Sequence, residues 1–285
     1  MRRILIQLDT DPLPSSFDRV VAVDSGVDEL FSYGGVTPEN VVPLVHGAIF
    51  TRGPADLKHT AIFVGGSNTA AGESLLAAIR KAFFGPMRVS VLCDPNGCNT
   101  TAAAAVRSAT RHLDPAKTRA LILGGTGPVG QRAARILSQL GAEVRLASRS
   151  VDRALSTCDA IRAAVQEAKL EPIGSSAGEL DAALDGVQLL IAAGAAGVQF
   201  LSQDQWRSRE NLRVAIDLNA VPPVGLEGIG VADKGVEQGA VTCYGAIGVG
   251  GLKMKVHKAA VHKLFESNDQ VLDTDAVYKL ATELK

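Results

Sequence analysis

Aromatic residues are scarce in this chain. They make up 4% of its 285 residues, with one tryptophan, three tyrosines and eight phenylalanines. Its cores must therefore be built from Ala, Val, Leu and Ile, which the 46% hydrophobic content supplies. That composition suits an α/β protein whose helices lie close against a sheet. Cysteine is sparse too. Cys93, Cys98, Cys158 and Cys243 form no Cys-x-x-Cys pair and no repeated ligand spacing. This excludes a disulfide framework and the common zinc motifs, and it reads as idle thiols in a reducing compartment. The five histidines form no His-Glu-x-x-His, so no metal site is expected. Neither sign of charge is in surplus: 29 Lys and Arg stand against 30 Asp and Glu, for a net charge of −1. A basic face for nucleic acid and an acidic tail are both excluded. No apolar run approaches the ~18 residues of a membrane span. The opening Met1-Arg2-Arg3-Ile4-Leu5-Ile6-Gln7-Leu8-Asp9 has too short an apolar run for a signal peptide and lacks a small-residue cleavage site. The expectation is a soluble cytoplasmic protein with no metal, nucleic-acid or membrane partner.

What is present is an alternation of strand-like and helix-like runs, long enough for two cores. Segments 3–8, 47–51, 60–64 and 89–93 read as short strands rich in Ile, Val or Leu. Segments 16–25 and 69–84 read as helices, the second with Leu75, Leu76, Ile79 and Phe83 on one face. Turn residues then punctuate the chain from Asp94 to Thr101, with Asn99 or Thr100 as the cap of a helix over 101–113. From Ala120 the rhythm is strand 120–123, glycine-rich turn, helix 130–140 and strand 143–147. Later strands at 187–192, 212–217 and 240–244 show little apolar alternation, as parallel strands buried on both faces should. A glycine-rich turn at 245–251 leads into a helix over 252–265. A last helix starting near Asp273 is expected to pack on the first domain. The fold expected is α/β: a Rossmann-type doubly wound parallel sheet with a second, smaller α/β domain. The boundaries are 1–98 plus 268–285 for the small domain and 99–267 for the dinucleotide-binding domain. The short apolar strands of the small domain also point to a homo-oligomer of unspecified symmetry.

The strongest motif is Gly125-Thr126-Gly127-Pro128-Val129-Gly130. Gly-x-Gly-x-x-Gly alone is weak, but here it follows a strand and opens a helix, as dinucleotide binding requires. Gly125 is expected to allow the tight turn. Gly127 lets the backbone approach a pyrophosphate, and Gly130 lets helix and strand pack closely. Free N–H groups and the positive helix end then hold the phosphates. The cofactor is decided at the end of the second strand. There the chain reads Ala147-Ser148-Arg149-Ser150, with Arg153 a turn further on. No carboxylate is available for a ribose 2′-hydroxyl, and a guanidinium suits a 2′-phosphate, so NADP is expected over NAD.

Three polar segments should lie beyond the strand ends, where ligands of open α/β sheets bind. They are Asn96-Gly97-Cys98-Asn99-Thr100-Thr101, Asp217-Leu218-Asn219-Ala220-Val221-Pro222-Pro223 and Gly248-Val249-Gly250-Gly251-Leu252-Lys253-Met254-Lys255. Each also has a bland reading: a helix cap, a shaped loop and solvated lysines. Absences narrow the chemistry. No Tyr-x-x-x-Lys lies near a dinucleotide helix and no nucleophile elbow occurs. A hydride-transfer enzyme whose substrate gives up no proton would look like this.

With these residues, the chain resembles the bacterial NADP-dependent methylene-tetrahydromethanopterin dehydrogenases, some of which also accept methylene-tetrahydrofolate. The resemblance runs over nearly the whole chain. It rests on Gln7-Leu8-Asp9-Thr10-Asp11, Phe17-Asp18, Tyr33-Gly34-Gly35-Val36-Thr37-Pro38, Ile49-Phe50-Thr51-Arg52-Gly53 and Thr60-Ala61-Ile62-Phe63-Val64-Gly65-Gly66. It continues through Asn96-Gly97, Asn99 to Ala104, Gly125 to Gly130, Asn219-Ala220 with Pro222-Pro223, and Gly248 to Lys255 with His257. The resemblance implies hydride transfer from the methylene carbon to C4 of NADP+, leaving a methenyl cation, in formaldehyde oxidation. No base removes a proton, so catalysis is positioning and electrostatics. The pterin would lie in the interdomain cleft. Thr101 and Lys255 carry over as positioning contacts, with Asn219 next for substrate and cofactor, and Asp18, Asn96 and Asn99 as further substrate contacts. Lys255 would orient the pterin, since a cation beside a developing cation does not help the chemistry.

One departure stands out: the relatives carry Gly-Arg-Lys where this chain has Ser148-Arg149-Ser150. The resemblance leaves methylene-tetrahydrofolate open as the substrate. A cyclohydrolase activity would want a Lys four residues after Tyr33, where Thr37 stands. A shikimate-type enzyme would want a Lys–Asp pair in the first domain, and no Lys precedes Lys58. A non-catalytic NADP(H) sensor is the reading from another class.

Overall fold

A computed structural model describes residues 1–284. The elements run β1 (Ile4–Asp9), α1 (Ser16–Asp24), β2 (Glu29–Tyr33), α2 (Val42–Ile49), β3 (Thr60–Gly65), α3 (Thr69–Ala82), β4 (Ser90–Cys93) and α4 (Cys98–Ala109). They continue with β5 (Arg119–Leu123), α5 (Pro128–Gln139), β6 (Glu143–Ala147), α6 (Val151–Ala164), β7 (Lys169–Ile173), α7 (Ala177–Ala183), β8 (Leu189–Ala192) and α8 (Gln203–Arg207). The last are β9 (Val214–Asp217), β10 (Lys234–Gln238), β11 (Val241–Tyr244), α9 (Ala246–Lys263), β12 (Val271–Leu272) and α10 (Thr274–Glu283). The chain forms two compact units. Unit 1 is Met1–Thr100 with the segment from Met254 onward, and unit 2 is Thr101–Lys253. The chain thus leaves unit 1 within α4 and returns to it within α9. Residues 254–267, expected in the second domain, group with unit 1.

Unit 1 is a five-stranded parallel sheet in the order β12-β4-β3-β1-β2. Every residue of β3 is buried, the expected cost-free state for an apolar strand covered on both faces. Leu8, Val45, Ile49, Leu57, Ile62, Val64, Leu75 and Ile79 fill one core cluster. Side-chain caps set the helix starts. Ser15 accepts from the Asp18 N–H, Asn68 from Ala71, and Asp273 from Asp275 and Ala276. The strand expected at 47–51 is not there: α2 ends at Ile49, and Phe50 follows as its C-cap. Val45, Ala48 and Ile49 are its buried residues, a helical spacing. The final helix does belong to unit 1, where the Thr274 hydroxyl donates to Asn99 Oδ1 at 2.7 Å.

Unit 2 is a seven-stranded sheet in the order β10-β11-β9-β8-β5-β6-β7. Its strands are parallel except for β10, which pairs antiparallel with β11. Winding goes outward from β5 through β6 and β7, then restarts at β8 on the other side of β5. That is the doubly wound dinucleotide-binding order, with its switch point between β5 and β8. Leu121, Leu190, Leu201, Trp206, Leu226 and Cys243 lie in its core. The Trp206 indole N–H donates to Glu227 O at 3.0 Å, so its one polar atom is satisfied. The glycine-rich segment at 245–251 is not a turn. From Ala246 on it forms the first turns of α9, and the Cβ of any other residue at Gly248 would lie 1.8 Å from Asp233 O.

Candidate functional site

The switch point of unit 2 is built from backbone. Gly124 follows β5 at φ +68, and a Cβ there would meet Gly194 Cα at 2.6 Å, in the loop after β8. The tight turn therefore rests on Gly124, one residue before the motif, rather than on Gly125. Gly125 is needed for another reason. Its Cβ would strike Leu146 Cγ of β6 at 2.4 Å. Gly127 caps α5 in extended conformation, and Pro128 opens the helix with no N–H to satisfy. A Cβ on Gly130 would meet Gly124 O and Gly125 Cα, both at 2.8 Å. The Gln131 amide donates to Thr126 O at 2.7 Å and holds the loop in place. The first-turn N–H groups of Val129 and Gly130 have no intrahelical acceptor and sit at the positive helix end. Bare backbone, first-turn donors and a helix dipole fit a dinucleotide diphosphate.

The neighbouring strand end supplies the second part. The Ser148 side chain is buried, and its Oγ lies 3.2 Å from Thr126 Oγ1 and accepts the Ser150 N–H at 3.3 Å. Ser150 in turn caps α6, accepting the Arg153 N–H at 3.3 Å. Arg149 and Arg153 are both exposed. Two cations and two hydroxyls thus cluster at one strand end with the Gly125–Gly130 loop, which joins Thr126 to Ser148.

Farther along the sheet, Asn219 follows β9. Its amide is spent on its own loop: Nδ2 donates to Pro223 O at 3.2 Å and Oδ1 accepts the Val221 N–H at 3.0 Å. Asp217 organises the same loop. Its carboxylate accepts the N–H of Asn219 at 3.0 Å and of Leu226 at 2.8 Å. Burial pushes its carboxyl above the ordinary value, against the pull of those donors and of Gly225. Thr101 is half-buried on α4.

In unit 1, Asn99 is buried. Its Nδ2 donates to Cys93 O at 2.5 Å, and its Oδ1 accepts from Thr274. The acceptor at the start of α4 is Asp94, which takes the N–H of Asn99 at 2.8 Å and of Thr100 at 3.1 Å. Neither Asn99 nor Thr100 caps the helix. Asn96 is exposed in the left-handed region at φ 56, with its N–H on Gly66 O at 2.7 Å. Asp18 is half-buried on the first turn of α1, and Lys255 is exposed on α9. The role of Asp217 is the loop-shaping reading of its segment, whereas that of Asp94 has no counterpart among the sequence-based expectations, because its bonds five and six residues on follow no motif. Among the described residues, no three His, Cys, Asp or Glu gather as a metal site, and no helix is long and apolar enough to cross a membrane.

Residues 16–96 match the family described as methylene-tetrahydromethanopterin dehydrogenase, N-terminal. Over 99% of both chains, the protein is 42% identical to "Bifunctional protein MdtA" of Methylorubrum extorquens. It is 33% identical, again over 99% of both, to the NAD(P)-dependent methylenetetrahydromethanopterin dehydrogenase of the same organism. Among solved structures, the 5-ketofructose reductase of Gluconobacter sp. strain CHM43 aligns over 99% of both chains with a TM-score of 0.53 at 16% identity. Quinate dehydrogenase of Corynebacterium glutamicum gives the same coverage and TM-score at 12% identity. These two show the fold alone. The full-length identity shows more: the chain belongs to the methylene-tetrahydromethanopterin dehydrogenase family.

Proposed function

We propose that the protein is an NADP-dependent methylene-tetrahydromethanopterin dehydrogenase. The observation that carries this reading is the end-to-end similarity to a dehydrogenase of that name, which takes in both the Gly125–Gly130 loop and the Asn96–Thr101 segment. Unit 2 would hold NADP, with the diphosphate on residues Gly125 to Gly130 and the 2′-phosphate beside Ser148, Arg149 and Arg153. When bound, the nicotinamide supplies a hydride acceptor at C4. One C–H bond of the methylene bridge breaks, its electron pair leaves with the hydrogen, and the two pterin-side nitrogens share the cation that remains. The residues therefore have to position ligands and match charge, with no proton to move. Thr101, Lys255, Asp18, Asn96 and Asn99 are the proposed substrate-side residues. Asn99 and Asn219 would act through the backbone they hold, since their amides are already engaged.

The finer parts of the reading are a cytoplasmic homo-oligomer in formaldehyde oxidation, with neither nucleic acid nor membrane as partner. Light scattering on the purified protein tests the oligomer. The decisive assay follows NADPH absorbance with methylene-tetrahydromethanopterin and NADP+, set beside methylene-tetrahydrofolate and NAD+. We expect the highest kcat/KM for the first pair. A higher value with methylene-tetrahydrofolate would reassign the substrate. NADP+ binding with no turnover on either pterin would make the chain a sensor.

A further inference from the structure

The N-terminal end of the unit 1 sheet gathers cations that the proposed function does not use. β1 and β3 run parallel, with Ile4 opposite Thr60. That register sets Arg2-Arg3, just before β1, beside Lys58-His59, just before β3. The Asn96 segment follows the opposite end of the sheet, a strand of six residues or about 20 Å away. Arg52 joins the cluster from the turn after α2. Its Nη2 donates to Arg2 O at 3.3 Å. Its Nη1 is buried and has no hydrogen-bond partner. A buried donor without an acceptor costs free energy, and more so when it carries charge.

Most of the carboxylates at this end are already engaged. Glu29 pairs with Arg2, and Asp28 accepts the Arg3 N–H at 2.6 Å. The Arg3 guanidinium lies over the Phe265 ring, 5.8 Å from its centroid. Asp56, on the short 3₁₀ helix Pro54–His59, is the carboxylate that acts on His59. Against it stand Arg52, the exposed Lys58 and the half-buried His59 itself. The His59 imidazole is held below its ordinary value by burial first, then by the amino-terminal ammonium, Lys58 and Arg52, with Asp56 pulling the other way. Cations therefore crowd this imidazole more than carboxylates relieve it.

We infer that Arg52, Lys58 and His59 form a binding site for a phosphate dianion, free or carried as a small monoester. A guanidinium offers paired N–H donors to phosphate oxygens, and a lysine adds a point charge. An anion seated there gives Arg52 Nη1 the acceptor that the chain does not supply, and it relieves the repulsion among three cations. The site lies apart from the proposed dehydrogenase chemistry and does not depend on it. The test is an NMR titration of the histidine ring signals of the whole protein with inorganic phosphate, at constant ionic strength set with chloride. His59 should shift saturably, with Kd on the order of 1 mM, and its pKa should rise by about 0.5 as phosphate binds. His46, His112, His257 and His262 are the internal controls. Saturating NADP+ should leave the His59 titration within about twofold, since the Gly125–Gly130 loop belongs to unit 2. Arg52→Gln and Lys58→Gln should each weaken phosphate about tenfold, and Arg52→Lys should recover part of the loss. Lys58→Gln changes an exposed side chain, so it carries the test if Arg52→Gln does not fold. Glycerol phosphate in a parallel titration separates the sources: tighter binding than inorganic phosphate assigns the site to a phosphorylated metabolite, weaker binding to the free ion. A His59 signal that follows phosphate no more than chloride overturns the site. So does an unchanged Kd in Lys58→Gln, or loss of the His59 response when NADP+ is added.

Discussion

Arg149 stands exposed one residue beyond Ser148, whose hydroxyl is already committed to Thr126 and to the Ser150 N–H. The neutral hydroxyls are therefore fixed parts of the loop, and the guanidinium is the exposed charge proposed for a 2′-phosphate. Charge-assisted hydrogen bonds to phosphate are about twice as strong as neutral ones, and a planar guanidinium can make two. Arg149→Ala should raise KM for NADP+ about tenfold and move KM for NAD+ less than about twofold. Initial rates with each cofactor at saturating pterin measure this. Arg149→Lys should recover part of the loss, because a point charge replaces a two-pronged contact. An equal loss on both cofactors would show instead that Arg149 supports the loop. Arg153 lies a turn further along α6, so its removal should cost less.

The loop after β9 shows how an element is held by one buried carboxylate. Asp217 is 1% exposed and binds N–H groups two and nine residues downstream, closing the segment that carries Asn219. Its folded pKa is raised by burial above its unfolded value. Folding thus takes up a proton between those two values, and the stability that Asp217 contributes falls as pH rises through that window and is level above it. Asp217→Asn turns a donor toward one of those N–H groups. It should lower stability by about 1–3 kcal/mol and flatten the acid-side slope of stability against pH. Urea unfolding across that window measures both, and an unchanged slope would place the proton uptake at another group. This element also marks the limit of what was legible. The strand–turn–helix around Gly125 could be read because glycine spacing records close approach directly. That Gly124 carries the left-handed turn could not, since two adjacent glycines look alike as letters. The first turns of α9 were read as a loop because Gly248, Gly250 and Gly251 are poor helix formers. Packing of Gly248 against Asp233 overrides that propensity. Segment 47–51 read as a strand because a short apolar run does not distinguish strand from helix.

At the scale of the whole chain, the two units have separate cores, and the Gly125–Gly130 loop lies in only one of them. The only tryptophan in the sequence, Trp206, is fully buried in that same core and hydrogen-bonded to Glu227 O. Its fluorescence reports the packing of unit 2, whereas far-ultraviolet circular dichroism reports helices of both units. A ligand that binds only the folded form stabilises it by about 2.7 kcal/mol at a hundredfold excess over Kd. For a fold of this size that is roughly 5–10 °C in Tm. NADP+ should therefore raise the tryptophan-detected midpoint by that amount, and NAD+ at the same concentration should raise it less. If the units unfold independently, the dichroism trace should split as NADP+ is added, with only its upper part following the tryptophan. If they unfold together, both traces should move as one. A tryptophan midpoint unmoved by NADP+ would contradict a cofactor site on the Gly125–Gly130 loop, because bound diphosphate must be released before that core opens.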